Sequence, residues 1–223
     1  MSRDARTLVE RHALPPDEIE ALSIRRLEAA AGGLDRWTTD ERVVALRMMW
    51  AAGDAGIAER IRIHPEAIER GLATLRAGCA VCVDVRMVEI ALDRGSLARL
   101  DCAVHCRIDA PAVVAEAKAS GLPRAVMAMR ALAAQVDGGI AVIGTAPTAL
   151  LALLDMLDAG TVHPALVIGT PVGFVAAAEA KAELMDRAVP FITIEGTRGG
   201  AAMASAATNA LLQLAIAPTR RET

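Results

Sequence analysis

The chain has no tyrosine, and only two tryptophans and two phenylalanines in 223 residues. Aromatic residues make up 2% of it, which leaves little to stack on nucleic-acid bases. A basic surplus is also missing: 24 Lys and Arg stand against 27 Asp and Glu, a formal net charge of −3. Nucleic-acid binders ordinarily carry such a surplus, so that class is set aside. Four cysteines are too few for a disulfide framework at this length. They fall as Cys79-x2-Cys82 and Cys102-x3-Cys106, which permits a zinc site on spacing alone. Both pairs lie in apolar runs where free cysteine is commonly buried, and no metal is expected. No uncharged apolar stretch is long enough to span a bilayer, because Ser, Thr, Asn and Gln break the Ala-rich run after Gly199. The opening MSRDARTLVERH is charged and lacks the apolar core of a secretory signal. These absences together lead to the expectation of a cytoplasmic protein without membrane contact.

What is present is apolar mass. Hydrophobic residues make up 54% of the chain, mostly Ala, Leu, Val and Ile, which suits close packing of helices on a sheet. Charged residues are 23%, an ordinary share for a folded domain. The division expected is a charged arm over 1–16, one α/β domain over 17–217 and a charged tail over 218–223. Within the domain, Asp17 with Glu20 reads as a capped helix start for DEIEALSIRRLEAA, and Thr38-Thr39-Asp40 opens a second helix with apolar residues on most of its circumference. Ile63-His64-Pro65 leads into a third helix that ends at Gly78.

Beyond Gly78 the pattern changes. CAVCVDV (79–85) and DCAVHCRI (101–108) are short Val-rich runs, each followed by a helical stretch, RMVEIALDRG and, opened by Pro111, VVAEAKASG. PRAVMAMRALAAQV reads as one further helix. Three segments then share one form, an apolar strand, a Gly-containing turn and a helix: IAVIGTAPTAL (140–150), ALVIGTPVGFV (165–175) and FITIEGTRGGAAM (191–203). Continuous apolar runs alternating with helices predict an α/β fold with a mostly parallel sheet, helices on both faces and the N-terminal helices packed onto it. In such sheets the carboxyl ends of the strands carry the ligand crevice. None of the three turns fits G-x-G-x-x-G or G-x4-G-K-[ST], so a nucleotide site has no motif behind it. Gly and Pro there either punctuate βα turns or let backbone N–H groups approach an anionic ligand.

These stretches resemble the precorrin-8X methylmutases, the isomerases of cobalamin biosynthesis. GIAVIGTAPTALLALLDMLDAGTVHPALVIGTPVGFVAAAEAK is similar to the family form I-G-N-A-P-T-A-L followed by P-A-(L/I)-(V/I)-(I/L)-G-x-P-V-G-F-V-x-A-x-E-S-K. EGTRGGAAMASAATNALL is similar to G-R-x-G-G-S-A-x-x-A-A-x-N-A-L, and AGCAVCVDVRMV to G-A-x-I-x-x-D-x-x-M-V. The likeness runs over about residues 20–215. It implies a parallel α/β fold, a homodimer and a site near the dimer interface. The reaction implied moves a methyl group from C11 to C12 of a corrin ring. It converts precorrin-8X to hydrogenobyrinic acid, or the cobalt analogue to cobyrinic acid, and needs no cofactor and no protein-bound metal. A family histidine is placed to protonate the macrocycle.

Departures fall on polar positions. The family segment R-M-(V/I)-H-A-C-G is here Arg47-Met48-Met49-Trp50-Ala51-Ala52-Gly53, so Trp50 stands at the histidine position. An indole donates a hydrogen bond but no proton. Thr145 replaces Asn, Pro123 and Ala125 flank Arg124 in place of Thr and Ser, Ala180 and Ala201 replace serines, and Thr197 replaces Arg, with Arg198 next to it. The Gly and Pro scaffold is kept while side-chain chemistry changes.

Candidate site residues follow. Arg124 matches the family arginine and suits a corrinoid acetate or propionate, or else is a solvated first-turn residue. Asp84 needs a partner within its apolar run; it touches ligand or pins the following helix as a cap. Thr145, Thr148, Thr170 and Thr197 sit on the turns with Gly169, Gly173 and Arg198, as carboxylate donors or helix caps. Trp50 is packing, or a stacking surface for a flat macrocycle. His105 reads as a core histidine, His64 and His163 as loop residues, and His12 as part of the arm. Three readings compete: an isomerase, its activity kept or reduced, a non-catalytic corrinoid or tetrapyrrole binder of the same fold, or a structural partner of an active homologue.

Overall fold

The apolar runs of the four central strands divide their side chains between two cores. In the computed structural model, which describes residues 7–217, six strands form one sheet: β1 (Ile61–Ile63), β2 (Ala80–Val83), β3 (Ala103–Cys106), β4 (Ile140–Ile143), β5 (Leu166–Gly169) and β6 (Phe191–Ile194). The start of the charged arm (1–6) and the charged tail (218–223) lie outside the described residues. Val81, Val83, Ile140, Val142, Leu166, Ile168, Ile192 and Ile194 enter one core. Cys82, Ala141, Ile143, Val167 and Phe191 enter the other. The strands read as uniformly apolar because both faces are covered. Each fully buried Val, Leu or Ile contributes about 1.5–3 kcal/mol relative to exposure.

The strand order is β1-β6-β5-β4-β2-β3, and every pair is parallel except β1 with β6. Chain order moves outward from β2 to β3 on one side and from β4 through β5 to β6 on the other. The order therefore reverses between β2 and β4, the place where a doubly wound sheet opens its crevice.

The helices are α1 (Leu8–His12), α2 (Pro16–Ala30), α3 (Thr39–Ala52), α4 (Ala67–Arg76), α5 (Arg86–Ala91), α6 (Arg94–Arg99), α7 (Pro111–Ser120), α8 (Arg124–Arg130), α9 (Ala133–Val136), α10 (Pro147–Asp158), α11 (Ala177–Met185) and α12 (Ala201–Ile216). The Ala-rich α12 lies on β4 and β5 and is covered in turn by α3 and α4. Its two buried hydroxyls are satisfied within the helix, Ser205 Oγ donating to the Ala201 carbonyl and Thr208 Oγ1 to Ala204, both at 2.8 Å. Helices α8 to α11 supply the second core.

Several expectations are corrected. α2 starts at Pro16 with Pro15 in the cap position, which offers no side-chain oxygen, and Glu20 pairs with Arg47 instead of closing a capping box. The capping boxes are at Thr7 with Glu10 and at Thr38 with Glu41. The first places a short helix, α1, inside the stretch read as an arm. β1 was not expected: three residues, Ile-Arg-Ile, pair antiparallel at the edge and make no apolar run. RMVEIALDRG is broken at Asp93, whose carboxylate accepts the N–H groups of Gly95 and Ser96 and starts α6. PRAVMAMRALAAQV is two helices, α8 and α9.

Candidate functional site at the carboxyl edge of the sheet

Asp84 follows β2 at the point where the strand order reverses. It is buried, and its carboxylate accepts three backbone N–H groups from the turn after β4: Gly144 at 3.0 Å to Oδ1, and Thr145 and Ala146 each at 2.8 Å to Oδ2. Burial pushes its carboxyl above the ordinary range, against the smaller opposing pull of those N–H donors. All three contacts are donors, so the ionised carboxylate is the form this geometry holds. Asp84 does not cap the helix that follows it, α5; it serves the start of α10, sixty residues on, where Ala146 has no capping side chain. In a nucleotide-binding sheet such a cluster of N–H groups receives a phosphate. Here an internal carboxylate occupies it, so a ligand must lie further out along the rim.

Gly144 permits this arrangement. A Cβ there would stand 2.8 Å from the Ala201 Cα and 2.9 Å from Val88, so the turn rests directly on α12. The turns after β5 and β6 lock together through backbone groups. Gly200 N–H donates to the Thr170 carbonyl at 2.8 Å, and Gly173 N–H to the Thr197 carbonyl at 3.1 Å. Thr170 N–H donates to the Ile143 carbonyl at 2.8 Å, which ties the pair to the turn after β4. Gly199 has φ +157°, and a Cβ on it would fall 2.2 Å from the Thr170 carbonyl oxygen.

Thr145 Oγ1 and Thr170 Oγ1 are buried at this edge without a hydrogen-bond partner among the described residues. None of Thr145, Thr148, Thr170 and Thr197 caps a helix, since the cap positions of α10, α11 and α12 are Ala146, Ala176 and Gly200. Thr148 is half-buried in the first turn of α10, and Thr197 is exposed. Gly169 faces Leu184 and Leu150 within the second core, a packing position. Arg198 pairs with Asp54 just beyond α3, and that contact holds the Asp54 carboxyl below the usual range. Further along the edge, Arg86 grips Asp109 through two bonds of 3.0 and 2.6 Å. Arg124, exposed at the start of α8, adds its charge to Arg86 in lowering the Asp109 carboxyl and makes no ion pair among the described residues.

Two features escaped the sequence. Lys181, in α11, has no exposed surface, and its ammonium donates to the Arg198 carbonyl at 2.5 Å and pairs with no carboxylate among the described residues. Burial pushes its pKa down to about 8. It braces the turn after β6 from below, and a lone lysine within an Ala-rich helical stretch gave no sign of this. The second is a cavity of about 280 Å³ between α3 and α12, lined by Trp50, Arg47, Ala51, Ala206, Asn209 and Gln213. The Arg47 guanidinium lies 5.0 Å from the centre of the Trp50 ring, and Trp50 is half-buried at the edge of the cavity. Asn209 is committed elsewhere, accepting the Asp93 N–H and donating to the Ala91 carbonyl, each at 2.9 Å. His105 is half-buried on edge strand β3, and His64 stands edge-on to Phe191 at 5.5 Å. No group of three or more potential metal ligands occurs among the described residues.

The precorrin-8X methylmutase family model matches residues 18–214. A cobalt-precorrin-8 methylmutase of Priestia megaterium is 36% identical over 212 residues, covering 95% of this chain and 94% of that protein. A precorrin-8X methylmutase of Pseudomonas aeruginosa is 41% identical over 188 residues, 83% of this chain and 88% of that protein. The crystal structure of a precorrin-8X methylmutase from Thermus thermophilus superposes with a TM-score of 0.82 at 38% identity, over 89% of this chain and 96% of that one. The chain belongs to the precorrin-8X methylmutase family. All three rim turns, Asp84, Arg124 and Lys181 fall inside the matched span. A methylmutase fold therefore carries the carboxyl edge described above, and the family is one of isomerases in cobalamin biosynthesis. No helix among the described residues is long and apolar enough to cross a membrane.

Proposed function

We propose that this chain binds a corrinoid along the carboxyl edge of its sheet and acts on it as a precorrin-8X methylmutase-type isomerase, moving a methyl group from C11 to C12. The observation that carries the reading is the collinear family match over residues 18–214. The edge itself supplies donors suited to a macrocycle fringed with carboxylates. These are the exposed Arg124 and Arg198, the exposed Thr197, and the two hydroxyls of Thr145 and Thr170 that have no partner among the described residues. A homodimer in the cytoplasm is part of the proposal. Phe174 and Val175, exposed at 95% and 83%, project from the loop after β5, and Met87 and Ile90 are exposed on α5. Apolar side chains of that size at a functional edge suit burial against a second copy.

The chemistry asks for withdrawal of electron density from the ring while the methyl migrates. Sequence resemblance sets Trp50 where the family places a histidine. Its indole donates a hydrogen bond but has no transferable proton at neutral pH. General acid catalysis supplies about 10²–10⁴-fold in rate. Turnover of precorrin-8X is therefore expected to be at least about 10²-fold slower than in a histidine-bearing homologue. Trp50→His restores only part of it, because the changed hydroxyl pattern around Thr145, Thr197 and Arg124 holds the ring less accurately. Visible absorption of precorrin-8X conversion by wild type and Trp50→His, run side by side, tests this. Wild-type turnover equal to the homologue's would show that the acid comes from another group.

A second reading is favoured by the Arg47–Trp50 stack, which presents a flat apolar ring beside a cavity. In that reading the chain holds a corrinoid without converting it. Tight binding of hydrogenobyrinic acid with no turnover of precorrin-8X by wild type would select it.

A further inference from the structure

We propose that Cys79 and Cys102 form a dithiol site that a hydroperoxide converts to a disulfide, stapling the segment that carries Asp84. Spacing along the chain groups Cys79 with Cys82 and Cys102 with Cys106, but the sheet groups them differently. β2 and β3 run parallel with Ala80 opposite Ala103, so the preceding residues, Cys79 and Cys102, are neighbours in register. The Ala103 N–H donates to the Cys79 carbonyl at 3.1 Å, and the Cys79 N–H points at the Cys102 sulfur at 3.5 Å. The two sulfurs are 3.9 Å apart. Adjacent strands lie about 4.8 Å apart, within the Cα separations that disulfides span. Closing the 3.9 Å gap between the sulfurs calls for rotation of the two side chains toward each other.

Selectivity follows from exposure. Cys79 and Cys102 are half-buried, whereas Cys82 and Cys106 are buried. A small oxidant therefore meets the first pair. One thiolate attacks the peroxide O–O bond; its sulfur takes the hydroxyl group, and the departing alkoxide leaves as an alcohol with that thiol's proton. The second sulfur, as thiolate, displaces the hydroxyl, which leaves as water with the second proton, and the S–S bond forms. Two electrons pass from the thiols to the hydroperoxide. Burial and the adjacent Cys102 sulfur push the Cys79 thiol up to about 12. Burial thus makes the Cys79 thiolate scarce at neutral pH, which slows the exchange whichever sulfur attacks first. The pair is built for occasional oxidation and not for peroxidase turnover.

The bond would close the chain between residues 79 and 102, a loop that contains β2, Asp84, α5 and α6. Restricting that loop in the unfolded chain should raise Tm by roughly 5–10 °C. The test treats the full chain with hydrogen peroxide, blocks residual thiols by alkylation, and follows intact mass, non-reducing peptide maps and thermal melts. Support is a loss of about 2 Da with one Cys79–Cys102 link and a higher Tm that dithiothreitol reverses. Cys102→Ser should abolish both changes. Cys79→Ser should abolish them too while leaving Cys102 oxygenated, which keeps the test open if the first variant fails to fold. A link through Cys82 or Cys106 would overturn the proposal. So would oxygenated Cys102 without a cross-link in the wild type, or a cross-linked protein whose Tm is unchanged or lower.

Discussion

Charged groups near the carboxyl edge have different occupations. Asp84 is spent on the backbone of a turn, Arg198 on Asp54, and Lys181 on the Arg198 carbonyl. Arg124 alone among the expected charged residues has neither a hydrogen-bond nor an ion-pair partner for its side chain among the described residues, so it should matter most to an anionic ligand. A charge-assisted pair is worth about 1.5–3 kcal/mol. Arg124→Ala should weaken binding of hydrogenobyrinic acid by roughly 10–100-fold in a spectral titration, and unchanged affinity would take Arg124 out of the site. Lys181 makes a different prediction. Its pKa is about 8 when folded and returns to the ordinary lysine value when unfolded. Between those values the unfolded chain binds the extra proton, so the lysine's contribution to stability rises as pH climbs through that window. Urea melts from pH 7 to 10 should show wild type gaining on Lys181→Met. A constant difference between the two would show that the amine is not desolvated. Neither role could be read from sequence: Asp84 meets its partner sixty positions away, and Lys181 meets a carbonyl, which leaves no mark on residue type.

Elements were legible in proportion to how much of their reason is local. β2, β4, β5 and β6 announce themselves because both of their faces are covered. β1 does not, since its place is decided by β6 and not by its own three residues. The break at Asp93 was written in a capping carboxylate; the one between α8 and α9 has no Pro or Gly to mark it. The interlocked turns after β5 and β6 were legible as glycines but not as partners. Their joint depends on Gly199, where both the dihedral and the approach of the Thr170 carbonyl exclude a side chain. Gly199→Ala should cost about 3 kcal/mol or more in chemical denaturation, and should disturb ligand binding even where the protein still folds. A loss within about 0.5 kcal/mol would mean that the two turns move independently.

For the molecule as a whole, the sequence announced an α/β sheet covered on both faces, and the fold shows one. The place of its edge in an assembly is the remaining question. Phe174 and Val175 stand almost fully exposed beside each other at this edge. Light scattering at micromolar concentration should return twice the 23.3 kDa of one chain, and Phe174→Asp should shift the population toward the single-chain mass. A single-chain mass for wild type would remove the partner from the proposed site.

The rim turns are joined to one another by main-chain atoms, Gly200 to Thr170, Gly173 to Thr197 and Thr170 to Ile143. Peptide groups are common to all residues, so the threonine side chains of the rim are lightly constrained by folding. Such an edge drifts easily: its hydroxyls can be exchanged over generations without collapse of the scaffold, and a lineage can revise what the rim holds long before it must revise how the rim is built.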